Sequence, residues 1–309
     1  MKLPSQKSLV LAAIVVTALI AGSCSGPKPA VDPEAYKKEI EQWKMNRLAR
    51  LTRSDGWLTL CGLFWLKEGE NPFGSDTTNA IVFPQGKAPK YSGSIWLEEG
   101  RVRLSASKGV RITVHDSAVT SMALSSDAGG ADPTQMKLGT LMFYVIKRGE
   151  QYAVRVKDSE NPPLIQFKGL EYFPTDLKWR IDGKYEPYNP PKVMKIASKV
   201  GTVEDDTCPG AIVFDVDGKS LRLDAVIEEG SENQLFIMFS DETSGKETYG
   251  TGRQLYTDLP DRDRNVVLDF NKAYNWPCVF TDFATCPIPP SQNHLPVRVE
   301  AGEKMYKGH

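Results

Sequence analysis

The chain has 309 residues, of which 40% are hydrophobic, 25% charged and 9% aromatic. That length suits one large domain or two modest ones, and that balance excludes a disordered chain, a collagen, a coiled coil and a protein of many membrane spans. Lysine and arginine number 38 against 39 aspartates and glutamates, so no global field draws the chain to nucleic acid.

The N-terminus reads as a targeting segment. Lys2 and Lys7 give a positive start, residues 9–23 carry no charge, and Ala21-Gly22-Ser23 precede Cys24. A hydrocarbon-spanning helix needs about 20 apolar residues, more than this run offers. Residues 1–23 therefore fit a lipoprotein signal peptide. The small residues fit a peptidase cleft, and the freed Cys24 thiol takes the lipid; an uncleaved anchor is the alternative. The expected location is extracytoplasmic, in the periplasm or on the outer membrane, with the membrane held through the lipid. Residues 24–33 (CSGPKPAVDP) form a Pro-rich tether.

Asp32 followed by Pro33 is a helix-start signal, and Tyr36, Ile40, Trp43, Arg47 and Leu51 share one face of a helix over 34–52. Beyond it the chain reads as strands. Residues 57–66 (WLTLCGLFWL) are nearly all apolar; 101–105, 110–115, 152–156 and 221–225 alternate with period two. Asp217-Gly218 between two apolar runs marks a hairpin. The polar, Gly-rich stretch 125–137 is the natural internal boundary. The expected fold class is mainly β: an N-terminal helix followed by two sandwich-like or barrel-like modules. Residues 34–124 would hold the helix and a small β module, and 138–309 a larger β module carrying the site.

After Cys24, four cysteines remain: Cys61, Cys208, Cys278 and Cys286. An even number outside the cytoplasm permits disulfides, but spacing does not give connectivity. Cys278 and Cys286 are the nearest pair, and a local bridge or two buried thiols are both open.

The stretch from Asp241 to Glu303 is richest in chemistry-bearing residues. Gly250 and Gly252 would let backbone approach a ligand, Arg253 offers a planar cationic fork, and Tyr249 adds a hydroxyl or a stacking face. Asp269, Asn271, Tyr274 and Asn275 follow a core strand, and Glu303 closes the cluster. These seven residues, Tyr249 to Glu303, are the candidate lining of a polar pocket for a small anion. The competing account is a network that satisfies irregular buried backbone. Cys278, Cys286 and His294 are too widely spaced for a zinc site, and the calcium-like start Asp261, Asp263, Asn265 lacks its glycine and closing glutamate. No metal or other cofactor is expected. No Gly-x-Ser-x-Gly elbow is present. A hydrolase using Asp269 or Glu303 as base with Arg253 as anion stabiliser is the second reading, and a structural or partner-binding envelope protein the third.

The runs DETSGKETYGTGRQLY and VVLDFNKAYNWPCVFTDFATCPIPPSQNHLPVRVEAGEKMY, with SDGWLTLCGLFWLKEGENPFGSD, FYVIKRGEQYAVRVKDSENP and GLEYFPTDLKWRIDGKYEPYNPPK upstream, resemble a bacterial family, domain of unknown function 1684. The likeness runs over residues 40–306. It implies no assigned activity and no assigned catalytic residues. Family members usually have Pro at Trp276 and Arg at His294, which argues against a base or metal role for His294. Many relatives look cytoplasmic yet keep cysteines matching Cys278 and Cys286, which argues against a purely structural disulfide. The strand rhythm of residues 74–115 resembles a forkhead-associated sandwich, but the phosphothreonine-reading Arg and Ser-x-x-His are missing.

Overall fold

A computed structural model describes residues 31–228 and 231–307. The expected signal peptide, the expected lipidation site Cys24 and the expected tether up to residue 30 lie outside the described residues. The first element, α1 (Pro33–Leu51), starts as its sequence dictates: the Asp32 carboxylate accepts the Glu34 N–H at 3.0 Å and Pro33 fills the first turn. Tyr36, Ile40, Arg47 and Leu51 are its buried face.

Eleven strands then build a sandwich: β1 (Leu60–Trp65), β2 (Gly69–Gly74), β3 (Ile81–Val82), β4 (Gly93–Glu98), β5 (Arg101–Ala106), β6 (Ile112–Val114), β7 (Ser117–Val119), β8 (Ser121–Leu124), β9 (Met136–Leu138), β10 (Leu141–Arg148) and β11 (Gln151–Asp158). One sheet has the order β1-β11-β10-β9-β6-β7 and the other β3-β2-β4-β5-β8. Phe73, Phe83, Ile95, Leu104, Ile112, Phe143, Val154 and Val156 fill the space between them. Period-two alternation explains the filling, since alternate residues of each strand face the opposing sheet.

The expected boundary at 125–137 is corrected by this topology. Strand β9, which starts at the end of that stretch, pairs with β6, and β11 pairs with β1, so that β9 to β11 complete the first sandwich. The Gly-rich segment is a crossing between the two sheets, and the real division comes after Asp158. There a short helix, α2 (Pro162–Ile165), and an irregular run lead to the second unit.

The second unit is a half-barrel of β12 (Arg180–Ala197), β13 (Val203–Val216), β14 (Lys219–Ala225), β15 (Gln234–Asp241), β16 (Arg253–Asp258), β17 (Asn265–Asp269) and β18 (His294–Leu295). One sheet runs β14-β13-β12-β17 and the other β16-β15-β18. A Val226–Phe236 bridge joins the two, and Thr257 Oγ1 donates to the Val267 carbonyl at 2.6 Å across the seam between β16 and β17. Asp217 and Gly218 take positive φ at the β13–β14 hairpin, as the dipeptide predicts. Leu235, Ile237 and Phe239 of β15 point into the core with Phe214, Leu223, Leu268 and Phe270. Their neighbours Phe236 and Met238 point outward, where Trp276, Cys278, Ala284 and Cys286 cover them and Trp57 packs alongside. The segment 274–287 is therefore the part of the half-barrel that meets the sandwich.

Candidate functional site

A cleft of about 1400 Å³ lies among α1, the outer face of the sandwich and the outer face of the half-barrel. Strand β11 sets its sandwich wall. Val154 and Val156 point into the sandwich core, so Arg155 and Lys157 project from the other face. Arg155 is only 4% exposed. Its guanidinium donates through Nη2 to Thr285 Oγ1 at 3.3 Å and stands 5.1 Å from the ring centre of Trp57. Its Nε, fully buried, has no hydrogen-bond partner, and no carboxylate among the described residues pairs with it. The neighbouring cations differ. Arg148 is ion-paired with Asp127 at 3.0 Å, and Lys157 donates to the Asp55 carbonyl. Trp276 also lines the cleft, and its buried indole N–H lacks an acceptor. Two buried donors without partners, Arg155 Nε and Trp276 Nε1, thus belong to side chains of the cleft lining.

A different stretch of the lining is acidic: Glu204, Asp206 and Glu228. Burial, with Glu228 and Asp205 nearby, raises the Asp206 carboxyl above its ordinary range. The Tyr256 hydroxyl donates to Glu228.

Among the residues expected from sequence, Asp269 and Tyr274 line the cleft. Arg253, the centre of the expected pocket, does not. It is fully buried, ion-paired with Asp241 at 3.4 Å, and donates to the carbonyls of Ala301 and Val299. Gly252 is required for packing: a Cβ there would collide with the Phe239 carbonyl oxygen at a φ of +100°. Glu303 is fully buried, accepting from Arg47 Nε at 2.8 Å and from the Asn275 N–H at 2.8 Å. Asn275 donates in turn to the Lys304 carbonyl at 2.7 Å. Asp269 Oδ1 accepts the Tyr36 hydroxyl at 2.7 Å, and Asn271 donates to the Asp176 carbonyl and the Tyr36 oxygen. Tyr274 lies under Arg47, 4.6 Å from its ring centre, and burial holds its hydroxyl up at about 12. Most of the cluster is thus the network that satisfies buried backbone and docks α1. The hydrolase reading loses its Glu303 base and its Arg253 together. His294 is half exposed, 3.0 Å from Ser240 Oγ and 3.5 Å from Glu242.

Tyr249 sits apart from the cleft lining, beside a pair of thiols. All four described cysteines are free, so the candidate Cys278–Cys286 bridge is not formed. Instead Cys286 Sγ accepts the Cys278 N–H at 3.1 Å. The Tyr249 hydroxyl lies 3.6 Å from Cys278 Sγ and takes a 2.6 Å hydrogen bond from Lys199 Nζ. The neighbouring Cys286 thiol, with Tyr249 and Lys199, lowers Cys278 below the ordinary thiol range, and Cys286 moves upward in return.

Arg155 and Trp57 were not among the expected site residues. The only sequence signal was an arginine on the outward register of an alternating strand, which describes most surface arginines equally well.

The model of the family described as protein of unknown function (DUF1684) matches residues 165–304. The match covers the half-barrel, a shorter span than the resemblance over 40–306. A solution NMR structure of an uncharacterized protein of Haloarcula marismortui is 32% identical, covering 47% of this chain and 80% of that one at a TM-score of 0.38. Two FHA domains, one from work on phosphothreonine-dependent interactions and one the FhaA domain, are each 16% identical over 30% of this chain, at TM-scores of 0.22 and covering 91% and 96% of those chains. No curated protein matches the chain. The chain belongs to the DUF1684 family.

Proposed function

We propose that this chain is a lipid-anchored bacterial envelope protein that binds a small anionic ligand in the cleft, with Arg155 as its principal contact. The anchor rests on the charge-free run ending at Cys24. The observation that carries the binding reading is Arg155: a guanidinium 4% exposed, with an unsatisfied Nε, in the wall of a large cleft. Leaving a buried charge without a counter-charge is costly, and a ligand carboxylate or phosphate would supply one. Trp57 and the orphaned Trp276 N–H favour a ligand with a planar portion and an acceptor beside its charge.

The test is a thermal-shift and calorimetric screen of residues 25–309 against carboxylates, phosphate esters and nucleotides, repeated with Arg155→Gln. An anion that raises the melting temperature of the parent and binds the variant about 100-fold more weakly or worse supports the reading. Binding unchanged by Arg155→Gln, or no anion bound at all, overturns it. The anchor is tested separately, by labelling cells with a radioactive fatty acid. Label should enter the parent and be absent from Cys24→Ala.

A further inference from the structure

We infer that Cys278 and Cys286 form a redox-active dithiol that exchanges with disulfides, Cys278 attacking and Cys286 resolving. This inference does not rest on the anion-binding reading, although Cys286 borders the same cleft. Four observations set it up. Both cysteines sit on the segment 274–287, eight residues apart in sequence, and each is reduced. They touch, the Cys278 N–H donating to Cys286 Sγ at 3.1 Å. Cys278 has a hydroxyl donor, Tyr249, which is itself held by Lys199. Lys199 also donates its backbone N–H to the Cys286 carbonyl at 3.0 Å, fixing the resolving residue on the same strand end.

The roles of the two thiols follow from what surrounds each. A thiolate is the nucleophile in exchange. Cys278 Sγ has the Tyr249 hydroxyl and the nearby Lys199 charge, whereas Cys286 Sγ has only the Cys278 N–H among the described residues. Cys286 is the more deeply buried of the pair, 4% exposed against 9%. Cys61 and Cys208 serve as internal controls. Burial pushes the Cys61 thiol up to about 12, and Cys208 is raised by burial and by Asp224.

The exchange balances with a low-molecular-weight or peptide disulfide as the oxidant. Cys278 thiolate attacks one sulfur, the substrate S–S bond breaks, and one half leaves as a thiolate that takes a proton. The other half remains on Cys278 as a mixed disulfide. Cys286 releases its proton and attacks Cys278 Sγ; the intramolecular bond forms and the second half departs as a thiol. The pair is oxidised by two electrons and the substrate is reduced by two.

The experiment treats reduced, folded residues 25–309 with oxidised glutathione, blocks free thiols with N-ethylmaleimide and maps the products by mass spectrometry. The parent should close the Cys278–Cys286 bond while Cys61 and Cys208 stay outside any disulfide. Cys286→Ser should hold glutathione on Cys278, and Cys278→Ser should leave Cys286 unmodified. A second measurement needs no variant: the rate of iodoacetamide capture of Cys278 against pH, with a midpoint below that of an ordinary thiol. Tyr249→Phe should move that midpoint upward. The inference is overturned if Cys278 and Cys286 stay reduced, if Cys61 or Cys208 reacts first, or if Cys278 captures iodoacetamide with the midpoint of an ordinary thiol.

Discussion

Two buried arginines stand in opposite chemical situations. Arg253 has Asp241 and a ring of carbonyls around it. Its removal leaves the Asp241 carboxylate buried and uncompensated, which costs about 3–5 kcal/mol. Arg253→Met should therefore lower the melting temperature by about 10 °C or abolish soluble expression. Arg155 has Thr285 and the face of Trp57, with no counter-charge among the described residues. Arg155→Met should leave the melting temperature unchanged or raise it, as expected where stability has been given up for binding. Thermal melts of both variants check the pair; equal losses would make Arg155 structural. Asp206 gives the third residue-scale expectation. Its raised carboxyl means that the folded chain holds the proton more tightly than the unfolded chain. Stability from this group is present below the ordinary carboxylate value of about 3.9 and is lost as pH climbs through the folded value. Asp206→Asn should gain melting temperature over the parent at neutral pH, and the gain should shrink toward acid pH. A gain that grows on acidification would show the opposite shift.

At the scale of elements, α1 is the part whose sequence specifies its structure most completely. Asp32, Pro33 and the spacing of Tyr36, Ile40, Arg47 and Leu51 name its start and its buried face. The Asp217-Gly218 hairpin is equally explicit, because only its turn geometry suits that dipeptide. The module boundary was not legible. A Gly-rich polar run looks the same whether it separates domains or crosses between two sheets of one sandwich; only the long-range pairing of β1 with β11 decides it. The same limit applies to the site. Arg253 drew attention through its Gly-x-Gly neighbour, yet the glycine serves contact with Phe239 and the arginine serves Asp241. What joins α1 to the half-barrel is likewise polar and long-range. Arg47 donates to Glu303 and to the Asn275 carbonyl, and Tyr36 donates to Asp269. Arg47→Met should cost about 3–5 kcal/mol by stranding Glu303. Tyr36→Phe should cost about 1.5–3 kcal/mol, the range for a hydrogen bond to a charged group. Denaturant unfolding of the two variants measures both values, and an Arg47 cost no larger than the Tyr36 cost would mean that Glu303 finds other partners.

For the whole molecule, these contacts make one unit of the chain dependent and the other self-sufficient. The sandwich has a closed core of its own, drawn from β2, β4, β5, β6, β9, β10 and β11. The half-barrel does not complete itself. Leu51 and Leu58 pack with Val279 and Phe280 of its covering segment, Trp57 packs against Trp276 and its neighbours, and Arg47 neutralises Glu303. All of these come from residues before β1, more than a hundred positions away from the region that the family model matches. A fragment of residues 162–307 therefore carries a buried carboxylate without its cation and an apolar covering segment without its partner face. Such a fragment should be insoluble or melt without cooperativity. Joining residues 31–58 to it through a flexible Gly-Ser linker should restore a cooperative transition, since this segment supplies Tyr36 and Arg47 from the helix and Trp57 and Leu58 from the turn after it. Residues 57–161 alone should melt cooperatively. Circular dichroism melts of the three fragments decide the matter. A 162–307 fragment that melts at the temperature of the full chain would show that the half-barrel does not need the helix, and that the buried Glu303 is neutralised from within its own unit.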